Sequence, residues 1–142
     1  MSEKVLLVDD EKEFLEIMSE RMTARGMEVT TAQSADQALS ILEKKSFDAI
    51  VMDFQMPGMD GMEALKSIKN KKPELQIILL TGYATVEKTV EAMKVGATDF
   101  LEKPADLEAL AEKIKNAKTE KMLIVEKQME DKIKDILQRH GG

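Results

Sequence analysis

The sequence predicts an α/β fold, a doubly wound five-stranded parallel sheet in the order 2-1-3-4-5 with helices on both faces. Five short apolar segments alternate with longer segments whose apolar residues recur every three or four positions. Strict alternation of this kind predicts crossover helices that cover a parallel sheet. The second apolar segment alternates apolar and polar residues, as an edge strand does, and an edge position for strand 2 fits this order.

The predicted strands differ in how completely apolar they are. In chain order they cover residues 5–8, 27–31, 49–52, 77–80 and 98–101. The first, third and fourth are uninterrupted runs of aliphatic residues and methionine, which is typical of strands covered on both faces. Because the centre of a doubly wound sheet is covered in this way, we expect these three strands to lie there.

The predicted helices begin at residues with capping side chains and end at glycines. The N-terminal caps of the second, third and fifth helices are Ser34, Asp60 and Asp106, and the C-terminal caps of the first and fourth are Gly26 and Gly96. Apolar residues at helical spacing lie between the caps: Phe14, Met18 and Met22 in the first helix, and Val86, Val90 and Met93 in the fourth.

Composition and charge exclude several kinds of protein. The chain has no cysteine, which excludes disulfide frameworks, zinc ribbons and thiol nucleophiles. A net charge of −6 without a separate basic cluster argues against nucleic-acid binding through this chain. The N-terminal apolar run is too short for a signal peptide, and no window approaches the roughly 18 apolar residues that span a bilayer. We expect a cytoplasmic protein that makes no membrane contact.

Polar side chains gather at the carboxyl ends of the predicted strands. Asp9 and Asp10 follow the first strand, Asp53 the third and Thr81 the fourth, and Lys103 lies just beyond the fifth. In an open α/β sheet the ligand site lies at this edge, where the strand order reverses. Three neighbouring carboxylates need a cation, and oxygen ligands without His or Cys favour Mg²⁺. With a lysine and a hydroxyl beside it, such a site suits a phosphoryl group and a carboxylate nucleophile.

Four motifs carry these side chains in a fixed order along the chain. They are Val8-Asp9-Asp10-Glu11, the segment from Met52 to Gly61, Leu80-Thr81-Gly82, and Leu101-Glu102-Lys103-Pro104. Together they resemble the receiver domain of bacterial two-component response regulators, which has the flavodoxin-like fold predicted above. The resemblance covers residues 4 to about 118. Single motifs of this length are weak signals, whereas the set of four is highly specific.

The resemblance implies a role for each residue. Asp53 would accept a phosphoryl group from a sensor histidine kinase or a phosphotransfer protein. Asp9, Asp10, Asp53 and the backbone carbonyl of Gln55 would bind Mg²⁺, with Asp9 acting directly or through water. Lys103 would pair with the phosphoryl group, or with Asp53 before that group arrives.

The resemblance also implies a switch and a fixed turn. The Thr81 hydroxyl would bond a phosphoryl oxygen, and Phe100 would turn inward as Thr81 moves. The position of Phe100 holds Phe rather than Tyr, so no hydroxyl can report its orientation to a partner. The bond between Lys103 and Pro104 would be cis.

Residues 119–142 exceed what a receiver needs, so we divide the chain into a receiver domain, 1–118, and an amphipathic helical extension or linker, 119–142. The extension carries an apolar stripe with spacings of three and four: Met122, Val125, Met129, Ile133 and Ile136. One hypothesis is a homodimer through a two-stranded coiled coil. The alternatives are a helix that folds back on its own receiver, and a linker cut from a longer regulator.

The leading interpretation is a Mg²⁺-dependent phosphoacceptor switch in two-component signalling, whose output protein is unknown. Phosphorylation of Asp53 would change a partner-binding face formed by the fourth helix, fifth strand and fifth helix. The alternative is the isolated receiver of a longer DNA-binding or ATPase transcription regulator. An aspartate-nucleophile phosphatase is excluded, because its general acid would lie two residues after Asp53, where this chain has Gln55.

Overall fold

The computed structural model describes residues 2–54, 60–82 and 86–140 and shows five parallel strands in the order β2-β1-β3-β4-β5. The strands are β1 Lys4–Val8, β2 Glu28–Ala32, β3 Ala49–Asp53, β4 Gln76–Thr81 and β5 Asp99–Glu102. The helices are α1 Lys12–Ala24, α2 Ala35–Lys44, α3 Gly61–Lys71, α4 Val86–Val95 and α5 Leu107–His140. The predicted fold class and strand order are confirmed.

Each central strand contributes to two apolar cores, because alternate residues of a strand point to opposite faces. Leu6, Ile50 and Ile77 face one side, where residues of α2, α3 and α4 pack against them. Leu7 and Val51 face the other side, where α1 and α5 cover them. Every residue of β3 and β4 is buried, which explains why these strands read as continuous apolar runs.

The exposed edge strand and the helix caps described below agree with the predictions from the sequence. β2 has one buried residue, Ala32, and its remaining residues are partly or fully exposed. The Ser34 hydroxyl accepts a hydrogen bond from the Gln37 amide at 3.1 Å, and the Asp60 carboxylate accepts one from the Met62 amide at 3.0 Å. Gly26 has a φ of 89°, in the left-handed region that a C-terminal cap requires.

The helix α4 directs two of its large apolar residues outward. Val90 is 47% exposed and Met93 is 42% exposed, whereas Ala92 is buried against the sheet. The small Ala92 thus belongs to the apolar core, whereas the larger Val90 and Met93 are exposed. The consequence is an apolar outer surface on α4.

The helix α5 runs without interruption across the predicted domain boundary at residue 118. Its first half packs on the sheet through Leu110, Ile114 and Ala117, which are at most 1% exposed. Beyond that, the Lys121 ammonium donates to the Phe47 carbonyl oxygen at 2.8 Å. The extension therefore continues the receiver helix, and the structure shows no fold-back among residues 107–140. No helix within the described ranges is long and apolar enough to cross a membrane.

Candidate functional site

The predicted site residues lie along one edge of the sheet. Val8 of β1 pairs with Met52 of β3, so Asp9 and Asp53, which come next in the chain, lie side by side at the ends of these two strands. Asp53 in turn pairs with Leu80 of β4. Thr81 pairs with Glu102, which places Thr81 and Lys103 at the next two strand ends. The backbone amide of Lys103 also donates to the Thr81 carbonyl oxygen at 2.8 Å. Parallel pairing is therefore what brings together residues far apart in sequence.

Three carboxylates converge where the strand order reverses. One carboxylate oxygen from each of Asp9, Asp10 and Asp53 lies within 4.8 Å of the others. Asp9 is fully buried and Asp53 is 6% exposed, whereas Asp10 is exposed. The Glu11 amide donates to Asp9 Oδ1 at 2.9 Å, which orients that carboxylate. Oxygen ligands that are partly buried and open to water on one side fit Mg²⁺, which keeps several of its waters.

The Lys103 ammonium lies between two of these carboxylates. Its Nζ is 2.6 Å from Asp9 Oδ2 and 3.4 Å from Asp53 Oδ2, and it lies 4.4 Å from the centre of the Phe14 ring. Burial, the largest single effect, lowers the pKa of Lys103. The hydrogen bond to Asp9 and the charges of Asp53 and Asp9 raise this pKa, and together they outweigh the effect of burial. The net direction is upward, so the ammonium stays charged at neutral pH.

Thr81 and Phe100 border a small apolar cavity beside these groups. The cavity has a volume of ≈ 20 Å³, and Phe54 and Met93 also line it. Such a space holds about one water-sized sphere and is too small for a phenyl ring. Thr81 is buried, whereas Phe100 is 36% exposed. Phe100 can therefore turn inward only if Thr81 or α4 moves.

A family model described as the response regulator receiver domain matches residues 5–115. The chain belongs to this family. A receiver domain is a phosphoacceptor regulator rather than a classical enzyme, and an acidic triad such as Asp9, Asp10 and Asp53 is typical of its Mg²⁺ site. The bond between Lys103 and Pro104 is cis, as the resemblance implied.

Individual relatives support the same assignment. Response regulator protein FleR of Pseudomonas aeruginosa is 40% identical over 110 residues, which is 78% of this chain and 23% of FleR. The C4-dicarboxylate transport transcriptional regulatory protein DctD of the same species is 35% identical over 87% of this chain and 27% of DctD. The chain thus spans about a quarter of the length of these curated relatives.

Solved structures agree with the fold of this receiver. The crystal structure of a response regulator receiver domain protein from Clostridium thermocellum has a TM-score of 0.81 and 34% identity. The match covers 87% of this chain and 99% of that chain.

Two residues near the site, Phe14 and Gly61, were not predicted from the sequence to take part in it. Phe14 lies against the Lys103 ammonium, although its helical spacing marks it only as a core residue. A Cβ on Gly61 would overlap the Phe54 carbonyl oxygen, so the start of α3 packs directly on the residue that follows Asp53. The Asp-Gly pair at residues 60 and 61 predicted the N-terminal cap of α3. A glycine at the start of a helix can also indicate a close approach of two backbone segments, here Gly61 and Phe54. Gln55, the fourth predicted Mg²⁺ ligand, lies outside the described residues.

Proposed function

We propose that the chain is a phosphoacceptor switch in which Asp53 receives a phosphoryl group from a histidine kinase or a phosphotransfer protein. The observation that carries the proposal is the convergence of three carboxylates and one ammonium, from three distant parts of the chain, at one edge of the sheet. Asp53 is 6% exposed at the end of β3, which keeps the carboxylate in a fixed position and still open to an incoming group.

The proposed chemistry is an in-line displacement at phosphorus. An Asp53 carboxylate oxygen attacks the phosphoryl group, the bond from phosphorus to the kinase histidine nitrogen breaks, and that nitrogen keeps the electron pair. Asp9, Asp10 and Asp53, with the Gln55 carbonyl, would hold Mg²⁺. The bound ion would neutralise charge on the phosphoryl oxygens.

The Lys103 ammonium would neutralise the rest of the negative charge on the phosphoryl oxygens. Its ammonium already lies within 3.4 Å of Asp53, so it can bond a phosphoryl oxygen without a large movement of β5. By the same arrangement the chain would assist both its own phosphorylation and the later hydrolysis of the acyl phosphate.

The proposed output is a change on the face formed by α4, β5 and α5. A phosphoryl group adds nearly two negative charges at Asp53, and the Thr81 hydroxyl can bond one of its oxygens. Movement of Thr81 would open the cavity to the Phe100 ring. Val90, Met93 and Phe100 are all exposed on this face, so their rearrangement changes an apolar surface that an output protein can bind.

Labelling with acetyl phosphate and Mg²⁺ tests the acceptor assignment. The wild-type chain should form one acid-stable, base-labile acyl phosphate, and Asp53→Asn should abolish it because an amide oxygen is a far weaker nucleophile. Asp36→Asn, on the exposed first turn of α2, is the matched control and should label normally. Unchanged labelling of Asp53→Asn would refute the assignment.

A second candidate function is that of the receiver within a longer transcription regulator. The relatives that support it include proteins named as transcriptional regulatory proteins, of which this chain covers about a quarter. In that case the output partner would be a DNA-binding or ATPase module joined beyond the extension. Reading the gene past codon 142 distinguishes a stand-alone switch from such a regulator.

The extension, residues 119–142, has a separate proposed role as an interaction segment. Its described part, residues 119–140, contributes no carboxylate to the cluster of Asp9, Asp10 and Asp53, and its apolar residues between 122 and 137 are mostly exposed. The receiver would thus be the phosphorylated part of the chain, and the extension would be the part that binds another protein segment.

A further inference from the structure

Phe14 lies at the end of the apolar stripe of α1, in the first turn of the helix. Met18 and Met22 continue the stripe into the core and are at most 6% exposed. Phe14 is partly exposed and only borders the same core. Its ring lies under the Lys103 ammonium, with Nζ 4.4 Å from the ring centre. Phe14 is therefore less of a core residue than its helical spacing predicts, because its ring faces a charge.

We propose that Phe14 is a positioning residue for phosphoryl transfer, whose ring holds the Lys103 ammonium beside Asp53. The inference rests on the proposed function, in which that ammonium neutralises charge on the phosphoryl oxygens. The face of an aromatic ring carries negative charge density and attracts a cation that lies within about 6 Å of the ring centre. Phe14 acts on the phosphoryl group only through Lys103.

The hydrogen bonds of Lys103 leave one of its donors for the side that the ring covers. An ammonium has three N–H donors, and Asp9 and Asp53 accept from Nζ at 2.6 Å and 3.4 Å. A water molecule on the remaining side would bond the third donor and draw the ammonium toward solvent. The ring replaces that water with an attraction that has no fixed acceptor direction. Nζ can therefore move from Asp9 toward a phosphoryl oxygen on Asp53 and remain in contact with the ring.

Glu11 is the competing partner on the open side of the cluster. Its Oε1 lies 4.0 Å from Lys103 Nζ, and its side chain is 70% exposed. The Lys103 side chain is 18% exposed, so water also has access to it. Without the ring, the ammonium would spend more of its time with Glu11 or with water, away from Asp53. Because a group that is already in place lowers the barrier of the step it assists, loss of the ring should slow phosphorylation.

Replacement of the ring tests the positioning role. Phe14→Leu keeps an apolar contact with the core but removes the ring, and Phe14→Tyr keeps the ring. At saturating Mg²⁺, the rate of labelling by acetyl phosphate should fall roughly threefold to tenfold in Phe14→Leu and remain near the wild-type rate in Phe14→Tyr. A wild-type rate in Phe14→Leu, or an equal loss in both variants, overturns the proposal.

A fluorine series separates the charge of the ring from its shape. Mono-, di- and trifluorinated phenylalanine, incorporated at residue 14 by codon suppression, withdraw electron density from the ring face and change its size very little. Each added fluorine should slow labelling further. The matched control is the same series at Phe47, which is buried and precedes the start of β3, at the opposite end of that strand from Asp53. The control series should leave the rate unchanged, and a flat series at residue 14 overturns the proposal.

Urea unfolding measures the contact without any phosphorylation. Trifluorination of Phe14 should raise the unfolding equilibrium constant roughly threefold or more in the wild-type chain and leave it unchanged in a Lys103→Met background, since the cation is then absent. Equal changes in both backgrounds would show that the ring only packs, and would overturn the proposal. The two proposals fail differently. A wild-type chain that is not labelled at Asp53 overturns both, whereas normal labelling with a flat fluorine series overturns only the positioning role of Phe14.

Discussion

Replacement of Lys103 should reveal how much of the folding free energy depends on the buried charge cluster. Lys103→Met removes the ammonium 2.6 Å from Asp9 Oδ2, and Asp9 is fully buried. Removing one partner of a buried ion pair costs about 3–5 kcal/mol, because the other charge stays uncompensated. The Lys103 side chain is 18% exposed, which gives water some access, so we expect a loss of about 3 kcal/mol.

A surface ion pair of the same length provides the matched control. Lys113 Nζ also lies 2.6 Å from a carboxylate oxygen, that of Asp99, but the two side chains are 27% and 37% exposed. Exposed pairs contribute about 0.2–1 kcal/mol, so Lys113→Met should cost less than about 1 kcal/mol. At about 3 °C per kcal/mol for a chain of this size, the two variants should differ in Tm by roughly 6 °C.

Urea unfolding without Mg²⁺, followed by circular dichroism, measures both losses. The double variant Asp9→Asn/Lys103→Met should recover most of the stability, since it removes both charges together. The pKa of Lys103 is raised, so its contribution is complete below the ordinary lysine value and disappears only as pH rises through the higher folded value. The loss should therefore be constant near neutral pH, begin to shrink above about pH 10.4, where an unfolded lysine loses its proton, and disappear only at still higher pH. Equal losses for Lys103→Met and Lys113→Met would refute the reasoning from burial.

Two further predictions concern the surroundings of the site. Gly61→Ala should destabilise the fold by about 1–3 kcal/mol in urea unfolding, because the new Cβ overlaps the Phe54 carbonyl, whereas Gly82→Ala meets open space and should be nearly neutral. Added MgCl₂ should raise the Tm of the wild-type chain by linkage, and Asp10→Asn should reduce that rise since one of three carboxylates is lost. An equal Mg²⁺ effect in both chains would show that the ion does not bind here.

The sequence predicted the site because its members occupy strand ends. Apolar runs located the strands, and the parallel order then placed Asp9, Asp53 and Lys103 at one edge. The contacts inside the site could not be predicted in the same way. That Lys103 lies closer to Asp9 than to Asp53, and against the Phe14 ring, depends on side-chain directions set by the packing of α1 and α5.

The outward direction of Val90 and Met93 on α4 could not be predicted from the sequence for a similar reason. Val90 and Met93 share a helical face with the spacing of a core stripe, and sequence spacing cannot tell an inward face from an apolar surface that faces a partner. The burial of Ala92 in the core decides the matter, and it is a property of the folded chain. Exposed apolar residues on α4 are therefore better evidence for a binding face than their spacing alone could provide.

The strand β5 connects the acidic site to this apolar face. Lys103 follows its last residue, and Phe100 lies three positions earlier, beside the small cavity. The Lys103 amide also bonds the Thr81 carbonyl, so the ends of β4 and β5 are tied together at the same point. A phosphoryl group on Asp53 would draw the Lys103 ammonium away from Asp9, and the strand that carries the ammonium also carries Phe100. In the proposed function, the position of Lys103 closer to Asp9 is the arrangement that precedes phosphorylation of Asp53.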